Sequence, residues 1–323
     1  MPPPSVFVGI VTWHPDPLLA RCIASVRAQD HPTVALHVWD NESTPESRAL
    51  LATLTSPEEH TCSEANVGSS AGHNALIRRA TCQYYLCLNP DAVLSEGYIR
   101  ALLDALEANA AAGSATGRLL RLDDEATLDS TGIVMTPDQR HLDRGAGEAA
   151  DGRFLAGPEE IFGTSGAVAM YRRAMLEDIA FRSEYFDQAF FAYREDADLA
   201  WRAQWRGWSS LYVPTAVAWH RRRVTPERRS ELPAEINRYS VRNRFLLRLK
   251  NQSMGLAWRY AWPGLKRDAQ VVGYVLLREW SSIPGLLDVV RLLPKMLAWR
   301  RHVLGTRRRD SAELATWFRR AGG

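Results

Sequence analysis

The sequence predicts an α/β protein, with a mostly parallel sheet flanked by helices and a helical appendage at its C-terminal end. Three observations carry this. Between Val6 and Leu88, charge-free runs suited to buried strands alternate with segments whose apolar residues recur at helical spacing. The runs end in polar or acidic residues, which is how an open parallel sheet gathers a ligand crevice along one edge. From about Thr225 onward the strand signal is gone, and helical, strongly basic sequence replaces it.

Val6 to Thr12 is apolar and β-branched, a first buried strand. After the turn signal His14-Pro15-Asp16-Pro17, residues Leu18, Leu19, Cys22, Ile23 and Val26 line one face of a helix. Val34 to Trp39 is the second strand, ending in Asp40-Asn41-Glu42-Ser43, and a helix follows from about Pro45 to Thr53. A short unit ends at Glu64-Ala65-Asn66-Val67-Gly68, with a Ser/Gly-rich loop leading into a helix around His73 to Ala80. Tyr84 to Leu88 reads as a strand buried on both faces, running into Asn89-Pro90-Asp91. Ser95 caps a helix carried by Ile99, Leu102, Leu103 and Leu106, and Gly113 ends it. From Ala115 to about Pro158 the pattern weakens, which predicts irregular strands and a mobile loop over Gln139 to Gly152. Regularity returns at Gly163-Thr164-Ser165-Gly166. The aromatic stretch Tyr185 to Tyr193 then leads into a helix opened by Glu195, Asp196 and Asp198, with Gly207 where a C-cap requires it. Leu211 to Val213 and Ala216 to Trp219 are the last strand-like pieces, delivering His220 at a strand end.

The 323 residues are 46% hydrophobic and 24% charged, the composition of a globular chain rather than a disordered one. Cys22, Cys62, Cys82 and Cys87 show no paired CxxC spacing and read as reduced thiols. No basic leader precedes the first strand, and no apolar run approaches the roughly 20 residues a bilayer span needs. A cytoplasmic protein is expected. The net charge of +3 hides an asymmetry: Trp219 to Gly323 carries 23 Lys plus Arg against 8 Asp plus Glu, leaving the body at −12. Such a tail suits an anionic surface.

Two carboxylate groups stand out chemically. Asp91 closes a buried strand at the ligand edge of the sheet, where a carboxylate can hold a metal ion and its phosphates; the alternative for Asn89-Pro90-Asp91 is a plain turn. Glu195, Asp196 and Asp198 crowd the start of one helix. They suit its positive dipole end, yet three acids in four residues exceed what capping needs.

Taken in order, Val11-Thr12-Trp13-His14-Pro15, Trp39-Asp40-Asn41-Glu42-Ser43, Glu64-Ala65-Asn66-Val67-Gly68, Leu88-Asn89-Pro90-Asp91, Gly163-Thr164-Ser165-Gly166, Glu195-Asp196-Ala197-Asp198-Leu199 and Val217-Ala218-Trp219-His220 resemble the inverting glycosyltransferase family 2, nearest its rhamnosyltransferase-like branch. The resemblance implies a GT-A nucleotide-binding, Rossmann-like fold over residues 1–224 with a mixed, mostly parallel sheet, and leaves 225–323 as a basic amphipathic helical region. It implies that Thr12, Asp40, Asn41, Asn66, Gly68, Asn74 and Asn89 line the donor pocket, with Asp40 accepting from a pyrimidine ring. Asp91 and His220 would hold a divalent cation, Mg²⁺ or Mn²⁺, bridging the diphosphate. Asn89 stands where much of the family has the first Asp of Asp-x-Asp, and His73 departs from the usual glycine-rich loop. Asp196 is the candidate general base, expected to take the acceptor hydroxyl proton, with Glu195 the next candidate beside it. Trp13, Tyr193 and Asp198 are candidate acceptor or sugar contacts.

The implied activity is transfer of a sugar, L-rhamnose from a dTDP donor by branch, to a saccharide acceptor on a lipid carrier in bacterial cell-surface polysaccharide synthesis. A UDP-sugar donor, a nucleotidyltransferase and a catalytically silent sugar-nucleotide-binding or scaffold protein are the alternatives. The nucleotidyltransferase would carry a Gly-rich, basic loop after the first strand, where this chain has Trp13-His14-Pro15-Asp16-Pro17. In the tail, Trp258, Tyr260, Trp262, Trp280 and Trp299 interleave with Arg and Lys, and Pro263, Pro284 and Pro294 are expected to break the helices into short pieces. Amphipathic helices of this kind lie on the inner face of the cytoplasmic membrane, pack on the body, or pair two copies. No nucleic-acid recognition motif accompanies the charge.

Overall fold

The computed structural model describes residues 4–222 and 233–318. The first units follow the alternation in the sequence: Val6–Trp13 (β1), Leu18–Arg27 (α1), Val34–Asn41 (β2), Pro45–Leu54 (α2), His60–Cys62 (β3), Gly68–Arg79 (α3) and Tyr84–Leu88 (β4). The five apolar residues expected on α1 are its buried face, and all five residues of β4 are buried. Ala92–Leu94 (β5) precedes Tyr98–Ala108 (α4), which begins three residues later than Ser95 because Gly97, in the left-handed region at φ 74°, occupies the capping position.

The middle of the chain is more regular than its pattern. Ala112–Arg121 (β6) is a ten-residue strand inside the sheet. Its small residues hide it from propensity, and packing explains them. A Cβ on Gly113 would lie 2.5 Å from Met175 Cγ, and one on Gly117 would lie 2.1 Å from the Ala216 carbonyl. Leu128–Ser130 (β7), Ile133–Met135 (β8), His141–Asp143 (β9) and Glu159–Ile161 (β10) follow, so the expected loop holds one strand of the β8–β9 hairpin. Val168–Arg172 (β11), Arg173–Ile179 (α5), Glu195–Trp205 (α6) and Ser209–His220 (β12) complete the layer.

The sheet order is β10-β12-β6-β11-β4-β1-β2-β3. β11 runs antiparallel to both β4 and β6, while β12 runs parallel to β6. This mixture has a functional consequence. The ends of β1, β2, β4 and β12 and the start of β11 all fall on one edge.

The C-terminal helices are Ala234–Asn251 (α7), Met254–Arg259 (α8), Ala261–Arg278 (α9), Ile283–Gly305 (α10) and Ser311–Ala315 (α11). The prolines do not break them. Pro263 and Pro284 sit in first turns, where a missing N–H costs nothing, and α10 continues through Pro294. α7 and α10 share a core with α6, in which Trp201 and Trp205 pack among Leu246, Leu247, Trp299 and Phe318. Beneath that core Lys250 Nζ lies 3.0 Å from Asp187 and 2.9 Å from Asp198. The expected boundary at 224/225 lies outside the described residues. The four cysteines are free, and no described helix is long and apolar enough to cross a membrane.

Candidate active site

β1 and β2 pair with Thr12 opposite Asp40 and Trp13 opposite Asn41, so the polar ends of both strands meet at the edge. Thr12 and Asp40 are buried, and neither carboxylate oxygen of Asp40 has a hydrogen-bond partner. Burial pushes its carboxyl up, against opposition from Ser43, His14 and Arg48. An unpartnered buried acceptor is costly unless a ligand donor meets it. Asn41 turns inward instead, its Oδ1 accepting from the Trp39 indole and from the Val67 amide, both at 3.1 Å. Asn66 Oδ1 accepts from the Gly68 amide at 3.0 Å, making the turn into α3. Gly68 takes φ 82°, and a Cβ there would lie 2.6 Å from the Phe191 carbonyl, so the glycine is required both by conformation and by space. Trp13 is 50% exposed on the rim, with its indole bonded to Glu42 at 3.0 Å.

At the end of β4, Asp91 Oδ1 lies 3.4 Å from Nε2 of His220, and Asn89 Nδ2 lies 3.4 Å from the same nitrogen. The β5–β12 pairing, which sets His220 opposite Ala92, brings them together. On its other side the imidazole donates Nδ1–H to Asp129 at 2.8 Å. Burial disfavours the imidazolium, yet the hydrogen bonds and charges of Asp129 and Asp91 outweigh it and lift His220 to about 9. Asp129, buried and absent from the sequence reading, also accepts from Arg222 at 2.5 Å, and Arg222 reaches on to Asp143 at 2.7 Å. It lies on β7, in the stretch expected to be irregular, so no sequence pattern pointed to it. A carboxylate facing an imidazole nitrogen whose partner nitrogen is tied to a second carboxylate fits a divalent cation. Among the described residues no three His, Cys, Asp or Glu side chains form a complete cage, so the remaining ligands would come from substrate phosphates and water.

Asp196 stands in the first turn of α6. Its Oδ2 accepts from the Gly166 amide at 2.9 Å and its Oδ1 from the Ala197 amide at 2.7 Å. The Asn89 amide donates to the Ala167 carbonyl at 2.9 Å, which ties the same loop to the end of β4. Burial raises the Asp196 carboxyl despite those backbone donors. Beside it Glu195, whose Oε2 has no partner, is pushed up to about 8 by burial and by the Asp196 charge. The approach to this helix is strained. Phe191, Tyr193 and Arg194 all have left-handed backbones, at φ 65°, 69° and 72°. α7 holds them: Asn243 Nδ2 donates to the carbonyls of Phe190, Ala192 and Tyr193 at 2.9, 2.8 and 2.8 Å. Arg242 adds bonds to Ala189 and Phe190, and Arg194 reaches Nδ1 of His141 at 2.8 Å. Tyr193 thus sits in the loop that leads into α6, half-buried.

Two sequence assignments are corrected. Asn74 is fully buried away from the edge, its side chain accepting from the Tyr185 and Phe186 amides and donating to the Phe186 carbonyl. Asp198 is fully buried as well, saturated by Arg202, Lys250 and Asn251 at 2.9, 2.9 and 2.8 Å, and so contacts no acceptor. One residue past Ala197 on a helix, the side chain turns from the edge into the core.

The mixed, curled sheet flanked by helices, with its polar strand ends on one edge, is a GT-A fold. The sequence profile of glycosyl transferase family 2 matches residues 7–180, and the chain belongs to that family. An N-acetylglucosaminyl-diphospho-decaprenol L-rhamnosyltransferase of Mycobacterium tuberculosis is 28% identical over 243 residues, covering 66% of this chain and 75% of that protein. Among solved structures, S. aureus TarS 1–349 superposes with TM-score 0.54 at 12% identity, over 94% of this chain and 88% of that one. GalNAc-T7 with UDP, GalNAc and Mn²⁺ superposes with TM-score 0.53 at 11% identity, over 84% of this chain but only 58% of that one. At these identities the structures speak for the fold.

Proposed function

We propose that the chain is an inverting glycosyltransferase that moves a sugar, L-rhamnose from dTDP-rhamnose, onto a saccharide carried on a lipid diphosphate, in bacterial cell-surface polysaccharide synthesis. The observation that supports it most is the convergence of the unpartnered Asp40, the Asp91–His220 pair and Asp196 on one sheet edge. The named activity of the mycobacterial relative supports the sugar and the lipid-linked acceptor.

Asp40 accepts the ring N–H of the pyrimidine, exchanging an unpartnered buried carboxylate for a bonded one. Thr12 and Asn66 flank that pocket, and Asn41 and Gly68 shape it from behind. Asp91 and His220, with Asn89 beside them, hold the divalent cation. When bound, that ion neutralises charge on the diphosphate. Each oxygen of Asp196 is oriented by one backbone N–H and keeps lone-pair capacity, so the carboxylate takes the proton from the acceptor hydroxyl as that oxygen bonds to the anomeric carbon. The carbon–oxygen bond to the diphosphate breaks on the opposite face, inverting the centre. Glu195, raised to about 8 by burial and by the Asp196 charge, holds its proton more tightly than an ordinary carboxyl beside the base. Trp13 and Tyr193 border the acceptor side. Residues 1–224 carry the chemistry and 225–323 support it, at the cytoplasmic face of the membrane where nucleotide sugars and lipid-linked acceptors meet.

A thermal-shift panel of nucleoside diphosphates and their sugars, with and without Mn²⁺ or Mg²⁺, tests the donor site, because a ligand of the folded state raises its melting temperature. A metal-dependent shift with a thymidine nucleotide, lost in Asp91→Ala, is expected. A shift with uridine nucleotides alone would reassign the donor, and no shift with any would remove the reading.

A further inference from the structure

Helix α9 is inside out. Along it Trp262, Leu265, Ala269, Leu276 and, just past its end, Trp280 recur at three- and four-residue spacing or its multiple, and all are exposed. Only Gly264 and Val275 of its 18 residues are buried. Trp258 on α8 is 87% exposed, Trp262 78%, Leu277 77% and Trp280 71%. An apolar stripe of this size facing outward marks a surface built to be covered.

The charges around it identify what covers it. Arg259, Lys266 and Arg278 are exposed beside the stripe. The acids of this segment are engaged elsewhere: Asp268 pairs with Arg244 and Arg248, and Glu279 accepts from Ser282. The exposed face therefore presents tryptophan, leucine and cations together, which is the chemistry of the interface of an anionic bilayer. No described helix is apolar enough to span one, so α9 would lie in the plane.

We propose that the outer face of α8 and α9 docks the protein on an anionic phospholipid leaflet. The placement serves the site. Arg244 joins Asp268 on α9 to the Asp138 carbonyl, and His141, three residues on, receives Arg194 at the head of α6. Three side-chain contacts and the short Asp138-to-His141 stretch thus join α9 to the helix that carries Asp196. The purpose of this face, though not its chemistry, rests on the lipid-linked acceptor proposed above.

Cosedimentation of the full chain with vesicles of phosphatidylcholine alone, or mixed with phosphatidylglycerol, tests it. Binding to the mixed vesicles with a blue-shifted tryptophan emission is expected. Trp262→Ser with Trp280→Ser should weaken it at least tenfold, and Lys266→Gln should weaken it about fivefold, the effect of one cation at such a surface. Binding to neither vesicle, or binding unchanged in the double variant, overturns the proposal. So does a dimer seen by light scattering that the double variant abolishes, which would give the face to a second copy. Circular dichroism checks that the variants fold. The nucleotide-dependent thermal shift is measured in parallel: its loss with vesicle binding intact would sink the enzymatic reading, and the reverse would sink only the docking face.

Discussion

The side-chain amide of Asn243 lies 2.8 Å from the carbonyl of Tyr193, joining a helix of the C-terminal region to the strained turn that opens α6. The same nitrogen serves Phe190 and Ala192, so one side chain satisfies three carbonyls of a left-handed loop. Asn243→Ala removes the donor shared by these three carbonyls, of which Phe190 keeps Arg242. A loss of about 1–3 kcal/mol in stability is expected from denaturant unfolding. If the loop positions Asp196, kcat falls on the order of a hundredfold while donor KM changes little. Unchanged kcat would show that the clamp serves the fold alone.

In the proposed cation site, Asp129 would act through His220, whose Nδ1 it holds. Replacing it in Asp129→Asn removes the carboxylate that fixes the imidazole, and divalent-ion affinity should fall about 10–100-fold. Calorimetric titration of the protein with Mn²⁺ alone reads this directly, and equal affinities would separate Asp129 from the metal site.

Asp196→Asn should lower transfer by about 10²–10⁴-fold while the nucleotide-induced thermal shift persists. Because a general base works deprotonated and burial raises this carboxyl, kcat should decline on the acid side with a midpoint above the ordinary carboxylate range. Gly166→Ala is a gentler probe. Its Cβ would stand 3.1 Å from Asp196 Oδ2, so it displaces the base without removing it, and a reduced kcat is expected.

Asp40→Asn should raise the melting temperature of the free protein and weaken pyrimidine-nucleotide binding at once. The buried carboxyl has a raised pKa, so its charged form costs stability above that pKa, and a neutral amide relieves the cost. Lower stability with unchanged nucleotide affinity would contradict the assignment.

Acid should unfold the protein partly through Asp187. Lys250 and Lys295 overcome its burial and hold it at about 2. A folded pKa below the unfolded 3.8 gives stability that is present above about pH 4 and is lost as pH falls toward 2, worth about 2 kcal/mol. Lys250→Met takes one buried cation from both Asp187 and Asp198, which keep Lys295 and Arg202 respectively, and should lower stability by about 1–3 kcal/mol in chemical denaturation.

The strand–helix alternation, the buried β4, the α1 face and the polar strand ends were all legible in the sequence, because each is a local pattern of period two or near four. Local pattern also brought Asp40, Asp91, Asp196 and His220 to notice. It failed where residue choice answers a distant neighbour. β6 looked irregular because Gly113 and Gly117 yield to Met175 and Ala216. Asn74 and Asp198 sat inside site motifs, yet one is spent on the backbone at Tyr185 and Phe186 and the other on Lys250 and Arg202. Asp129 had no motif at all, and only the meeting of β6, β7 and β12 puts it against His220. Side-chain partners more than a few turns away depend on how layers close over one another, so the sequence determined which groups stand at the strand ends, and tertiary packing alone decided which of them remain exposed to a substrate.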